Sequence, residues 1–228
     1  MEASATRDGG SGAGDGSTFG EAIPLPRGPH HLSESQIAQS QRIRLMTAIT
    51  ELLAEKGWPG VTIGDIVGRA GVSRSAFYDH FSDKEDCLLE AYDVFGIKLL
   101  TAATASIDTS LPWDEFAGNA LLAYLTAIQV DPVAGRAFMV EMDSAGPRAR
   151  QRRREGINAF AAAMKEGHRV AQERDDSLAP LPDRVYLGVA LGVRELIRDE
   201  LERDPEADLT EMSDDVLAWV TAMIRGAT

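Results

Sequence analysis

Apolar residues recur along this chain at the three-and-four spacing of amphipathic helices, and no stretch shows the alternation of a half-buried strand. Ile43, Met46, Ile49, Leu52 and Leu53 form one stripe and predict a helix over 33–56. Ser33 and Gln36 make a capping box at its start, and Lys56-Gly57 stops it. Ile63, Ile66 and Val67 give a second, short helix, capped by Thr62 with Asp65 three residues on. Ala70-Gly71-Val72 breaks it, Gly71 being the residue best able to take the left-handed conformation that ends a helix. Ser73 caps a third helix, in which Phe77 and Phe81 fall four apart and point inward. Ser82-Asp83-Lys84-Glu85 reads as another capping box and opens a longer helix over 84–105, with Leu88, Leu89, Tyr92, Phe95 and Leu99 on its apolar side. Further helices are predicted from Pro112 to Asp131-Pro132, then over 132–143, 148–173, 183–203 and 210–225. The expected fold class is all-α.

The third helix leaves Arg74, Ser75, Tyr78, Asp79 and His80 outward. A short helix with an aromatic inner edge and a hydrogen-bonding outer edge is what a DNA major groove accepts. Arg74 can fork onto guanine, while Tyr78 and Lys84 suit phosphate oxygens. Asp79 places an acid on the same surface, either to accept from a cytosine amine or simply to be solvated.

The segment 43–92 resembles the DNA-binding domain of the tetracycline-repressor (TetR) family. The likeness runs through Lys56-Gly57-Trp58, Thr62-Ile63 with Ile66, Ala70-Gly71-Val72-Ser73, Phe77-Tyr78, His80-Phe81 and Lys84, and covers about a fifth of the chain. It implies a helix-turn-helix DNA-binding domain at 33–83, and a helical ligand-binding and dimerisation domain at 84–228. It also implies that Ser73 opens the reading helix, that Arg74, Ser75 and Ala76 approach base edges, and that Thr62, Tyr78, His80 and Lys84 approach phosphates. The partners it implies are a pseudo-palindromic double-stranded operator, a small-molecule effector and a second copy of the chain. Repression is the family's usual sign, and no cofactor is expected.

Composition adds limits. The chain has 228 residues, 44% hydrophobic and 26% charged, enough for one large or two small domains with a real core. No apolar run approaches the roughly 18 residues of a membrane span, and no secretory signal opens the chain. With Cys87 as its single cysteine, the chain is expected to be cytoplasmic and free of internal disulfides. Cys87 reads as a small structural residue, with a redox thiol near Lys84 as the minor reading. Net charge is −13, but the acid concentrates away from the reading helix: 40–84 carries six bases against five acids, and 105–228 fourteen against twenty-two. Phosphate contact needs a local basic surface rather than a basic chain. Residues 1–32, rich in Gly, Ser and Ala and ending in Pro24, Pro26 and Pro29, read as a flexible tail. His30-His31 lacks further metal ligands nearby, and no metal is expected.

In the second half, the run from Arg148 to Arg154 reads as a solvated helix start paired to acids such as Asp143 or Glu155. Phe116, Tyr124, Phe138, Met142, Phe160 and Tyr186 are the candidate lining of an apolar effector cavity. A hydrophobic or amphipathic effector is expected, cations included, but not a phosphorylated metabolite. Gly188 and Gly192, four apart, mark a close helix approach, either within the chain or at a dimer seam shared with Trp219, Val220 and Met223. Catalysis has little support: no phosphate-cradling glycine loop and no Gly-x-Ser-x-Gly elbow occur, and His30, His31, His80 and His168 lack a paired nucleophile. The rival reading is a helical-bundle enzyme or small-molecule carrier with a vestigial helix-turn-helix.

Overall fold

The computed structural model describes residues 17–20, 22, 33–105, 108 and 110–226, and the side chains up to 224. Among them lie nine α-helices and no strand. His30 and His31 lie outside the described residues.

The first stripe becomes α1 (Glu34–Gly60), opened by the expected Ser33–Gln36 box. Its regular part stops at Gly57, whose φ of 65° is cheap for glycine alone, and Pro59 lies in the turn beyond. α2 (Ile63–Ala70) starts with the reciprocal Thr62–Asp65 box and ends on Gly71 in the left-handed conformation. α3 (Arg74–His80) is capped by Ser73, whose hydroxyl accepts from the Ala76 N–H at 3.0 Å. α4 (Lys84–Ala105) spans the expected residues but takes its cap one residue later than the expected box. Asp83, not Ser82, caps it, accepting from the Asp86 N–H at 2.8 Å, while Ser82 donates its hydroxyl to the Asp86 carboxylate. In that register Cys87 and Leu88 are buried in the same apolar core as Leu45, Ile49, Leu53, Ile66 and Phe77. Burial pushes the Cys87 thiol pKa up, which removes the redox reading.

The body consists of α5 (Trp113–Gln129), α6 (Pro132–Met139), α7 (Pro147–Gln172), α8 (Asp183–Arg203) and α9 (Ser213–Gly226). The helix expected over 132–143 is α6 followed by a separate 3-10 turn, Glu141–Ala145. α4 packs along α5 and α7, α7 along α8, and α9 against α5 and α8. α1 packs on α4 and α6, so the head, α1 to α3, and the body share one continuous apolar core.

Three polar clasps hold the head to the body or to itself. The Lys84 ammonium donates to the carbonyls of Val61 (2.6 Å) and Trp58 (3.2 Å) and lies 4.0 Å from the centre of the Trp58 ring. Arg136 on α6 reaches the Ala54 carbonyl near the end of α1 and the Glu141 carboxylate. Arg148, at the start of α7, faces Asp83, Glu85 and Asp86 at 3.5, 3.3 and 2.6 Å. Within the arginine run Arg148, Arg152 and Arg153 pair with acids as expected, Arg153 with Asp143 at 2.6 Å.

The tail expectation needs correction at residues 17–20. Thr18 is buried, and its N–H donates to Asp131 at 2.8 Å; Lys98 donates to the Ser17 carbonyl at 3.1 Å. Phe19, the one aromatic in that Gly- and Ser-rich stretch, packs against the core. The other oxygen of Asp131 caps α6.

Lys84→Met keeps an apolar stem but leaves two inward carbonyls without their charged donor. It is expected to lower stability by about 1–3 kcal/mol. Tyr78→Phe, at a side chain 50% exposed, should change it by less than about 0.5 kcal/mol. Urea unfolding of the two variants checks this; equal stabilities would show that the clasp contributes nothing.

Candidate DNA interface and effector cavity

α3 turns Phe77 into the core and leaves Ser73, Arg74, Ser75, Tyr78 and Asp79 exposed, with Ala76 half-buried between them. The Arg74 guanidinium lies 6.0 Å from the Tyr78 ring centre, so both present polar groups on one edge. Thr62 is exposed, its hydroxyl bonded to Asp65.

Two residues of the expected contact set are committed inward. His80 bonds Gln41 at 3.1 Å, and burial together with the nearby Arg42 charge holds its pKa below the ordinary range. It is a neutral tie between α3 and α1. Lys84 spends two of its three N–H donors on protein carbonyls, and desolvation lowers its pKa. Arg42 pairs with Glu90 and lies over the Phe81 ring, while Arg69 is held by Glu51 and Glu55. The exposed edge therefore depends chiefly on Arg74, Ser75 and Tyr78.

In the body, α4, α5, α7, α8 and α9 enclose a cavity of about 420 Å³, within the range typical of small-molecule sites. The sequence reading of its walls is corrected at four of six positions. Tyr124 and Phe160 line it, their rings edge to face at 4.9 Å. Phe138 is instead packed solidly against Phe95 and Tyr92, Met142 is fully buried, Phe116 stacks on Trp113, and Tyr186 bonds His168 at 2.6 Å. The cavity exists because small residues face it: Ala117 and Ala120 on α5; Gly156, Ala159 and Ala163 on α7; Ala190 on α8. These recur at helical spacing with Tyr124 and Phe160, a signal that a search for large side chains passes over. Toward solvent the lining includes Ile97, 66% exposed, and the charged group of Asp93, Arg152 and Glu155.

Residues 45–91 match the family described as bacterial regulatory proteins, tetR family. The DNA-binding domain of this chain is a TetR-family domain. Over the same end, the HTH-type transcriptional regulator CymR of Pseudomonas putida is 30% identical across 87 residues, 38% of this chain and 43% of that protein. AcrR of Shigella flexneri is 34% identical across 59 residues, 26% and 27% of the two chains. The matched segments span less than half the length of these curated relatives. FadR of Bacillus subtilis, solved in complex with stearoyl-CoA, superposes with a TM-score of 0.66 at 17% identity, covering 82% of this chain and 99% of that one. The fatty acid degradation regulator FadR of Bacillus halodurans gives 0.66 at 17% identity, covering 89% and 98%. At such identities the likeness is one of fold, and it extends beyond the TetR-type head into the body.

The glycine pair behind that head divides its roles. A Cβ at Gly192 would come within 2.6 Å of the Trp219 ring, so Gly192 serves a close approach inside the chain, while Gly188 has open space. Val220 is buried and lines the cavity, which removes it from the candidate seam. Leu191, Leu196 and Trp219 remain exposed, and Met223 is half-exposed.

At the α5–α7–α8 junction His168 is buried with its ring 4.8 Å from that of Trp113, and neither His168 Nε2 nor Trp113 Nε1 has a hydrogen-bond partner. Desolvation lowers the His168 pKa from its ordinary 6.5. The folded state thus resists a proton that the unfolded chain accepts, so stability falls as pH drops below about 6.5, until the folded pKa is reached. His80 acts in the same direction. Urea unfolding between pH 7.5 and 5 should show this loss, and His168→Leu should make the slope shallower; a variant with the wild-type slope would remove His168 from the account.

Proposed function

We propose that the protein is a homodimeric, DNA-binding transcriptional regulator responsive to a small molecule, acting as a repressor released from a pseudo-palindromic operator by a hydrophobic or amphipathic effector. The observation that carries this reading is the double use of α4. Its first turn is fastened to the head by Lys84, and its stretch from Tyr92 to Thr104 walls the cavity. A ligand that fits better with α4 displaced favours a different placing of the two reading helices, and its differential affinity sets the size of the switch. The stearoyl-CoA held by the FadR neighbour supports an effector with an apolar chain.

In this reading each protomer sets α3 in one major groove, with half-sites about one helical turn or a multiple apart. The exposed apolar edge of α8 and α9, with Gly188, Leu191, Leu196, Trp219 and Met223, is the seam that pairs two copies as a four-helix bundle.

Arg74→Ala should weaken binding to the cognate site by about 1–3 kcal/mol and relax preference at one base pair. Fluorescence anisotropy on the DNA flanking the protein's own gene, across a salt series, measures this. Equal losses on cognate and random DNA would show that Arg74 holds phosphate alone. For the seam, Leu191→Glu with Leu196→Glu should shift the protein to monomer in sedimentation and abolish tight operator binding. A dimer of unchanged affinity would place the seam elsewhere.

A further inference from the structure

We propose that the cavity selects amphiphiles with an anionic head, in the first instance a carboxylate, and that Arg194 with the hydroxyls of Tyr92 and Tyr124 forms the polar site that receives it. This rests on reading the cavity as the effector site.

Arg194 lines the cavity and is only 5% exposed. Its Nη2 donates to the carbonyls of Met139 (3.1 Å) and Phe138 (3.4 Å), and its Nη1 to Glu195 at 3.2 Å. Glu195 does not line the cavity, and its side chain is 48% exposed, so solvent screens it. Two further carboxylates border the space, Asp93 and Glu155, and both are taken by Arg152, at 3.4 and 3.2 Å. Among the described lining residues, the buried charge is therefore one guanidinium without a buried counter-charge. A cation in a low-dielectric space attracts an anion far more strongly than it would in water.

The tyrosines complete the site. Tyr92 and Tyr124 line the same cavity as Arg194, and the Tyr92 ring stands edge to face 5.8 Å from Phe138, whose carbonyl Arg194 takes. Burial raises the pKa of both phenols, so they stand as neutral donors. A Cβ at position 156 would come within 2.8 Å of the Tyr92 hydroxyl, so Gly156 leaves this hydroxyl its place. Phe160, Leu121 and the facing alanines supply an apolar space for a chain. A cationic head would meet a like charge there, which narrows the class of effector expected from the sequence. An uncharged head would leave the guanidinium with only the solvent-screened Glu195 as its counter-charge.

The test is displacement of the neutral dye Nile red from the full-length protein at pH 7.5 by decanoate, decanol and decyltrimethylammonium, each below its micelle concentration. Nile red should bind, and decanoate should displace it at a concentration about tenfold lower than decanol, with the ammonium weakest. Arg194→Met should bring decanoate close to decanol. Tyr124→Phe, a near-isosteric change that guards against misfolding of the arginine variant, should weaken decanoate several-fold and leave decanol unchanged. Equal displacement by decanoate and decanol in the wild type, or equal losses for both in the variants, would overturn the anion site while leaving an apolar effector cavity. Failure of Nile red and all three amphiphiles to bind would overturn the effector cavity itself, and this proposal with it.

Discussion

The fastening of α4 at its first turn is the constraint on which the rest of the molecule depends. The Lys84 ammonium closes the carbonyls of Trp58 at the end of α1 and Val61 just beyond it, Asp83 caps the helix, and Arg148 brings the start of α7 onto the same turn. Because Cys87 and Leu88 then enter the head core while Phe95 and Leu99 enter the body, one rigid helix belongs to both halves. In the proposed switch, a displacement of α4 in the body acts on the orientation of α3 through this turn. The exposed ion pairs of Arg148 contribute little stability each. Their value lies in position, since they join α7, which walls the cavity, to the turn that carries the reading helix.

Charge explains a second feature. The body carries most of the −13, and the head offers few uncommitted cations, because Arg42, Arg69 and Lys84 are bound to the protein's own groups. A head with so few free cations can neutralise few phosphates, so the electrostatic share it could bring to DNA binding is small. In the proposed dimer, affinity then comes from two heads docking together, which makes the separation of the heads, and hence the attitude of α4, the natural variable to regulate.

How much was legible in the sequence follows from what each feature depends on. The caps at Ser33, Thr62 and Ser73 and the left-handed Gly71 depend on a few adjacent residues, and they are found where the local pattern predicts. The cap of α4 slipped by one because Ser82 and Asp83 are both good caps, and the core, not the local pattern, chose the register. The inward roles of His80 and Lys84 were hidden, since their partners Gln41, Trp58 and Val61 are distant in sequence. The cavity is hidden in the sequence for a related reason. Large side chains such as Phe138 and Met142 fill space, whereas a cavity arises where Ala and Gly from several helices face one another, and that meeting is a property of packing. Phe19 shows the same limit, because its docking depends on a surface built from residues far along the chain.

The measurement that bears most directly on this account is operator affinity with the cavity empty and with it saturated by the tightest-binding decyl amphiphile, at fixed ionic strength. Coupling through α4 predicts that saturation weakens operator binding by a factor within about 5–150, and that bound operator weakens the amphiphile by the same factor. An operator Kd unchanged at full occupancy of the cavity would contradict it.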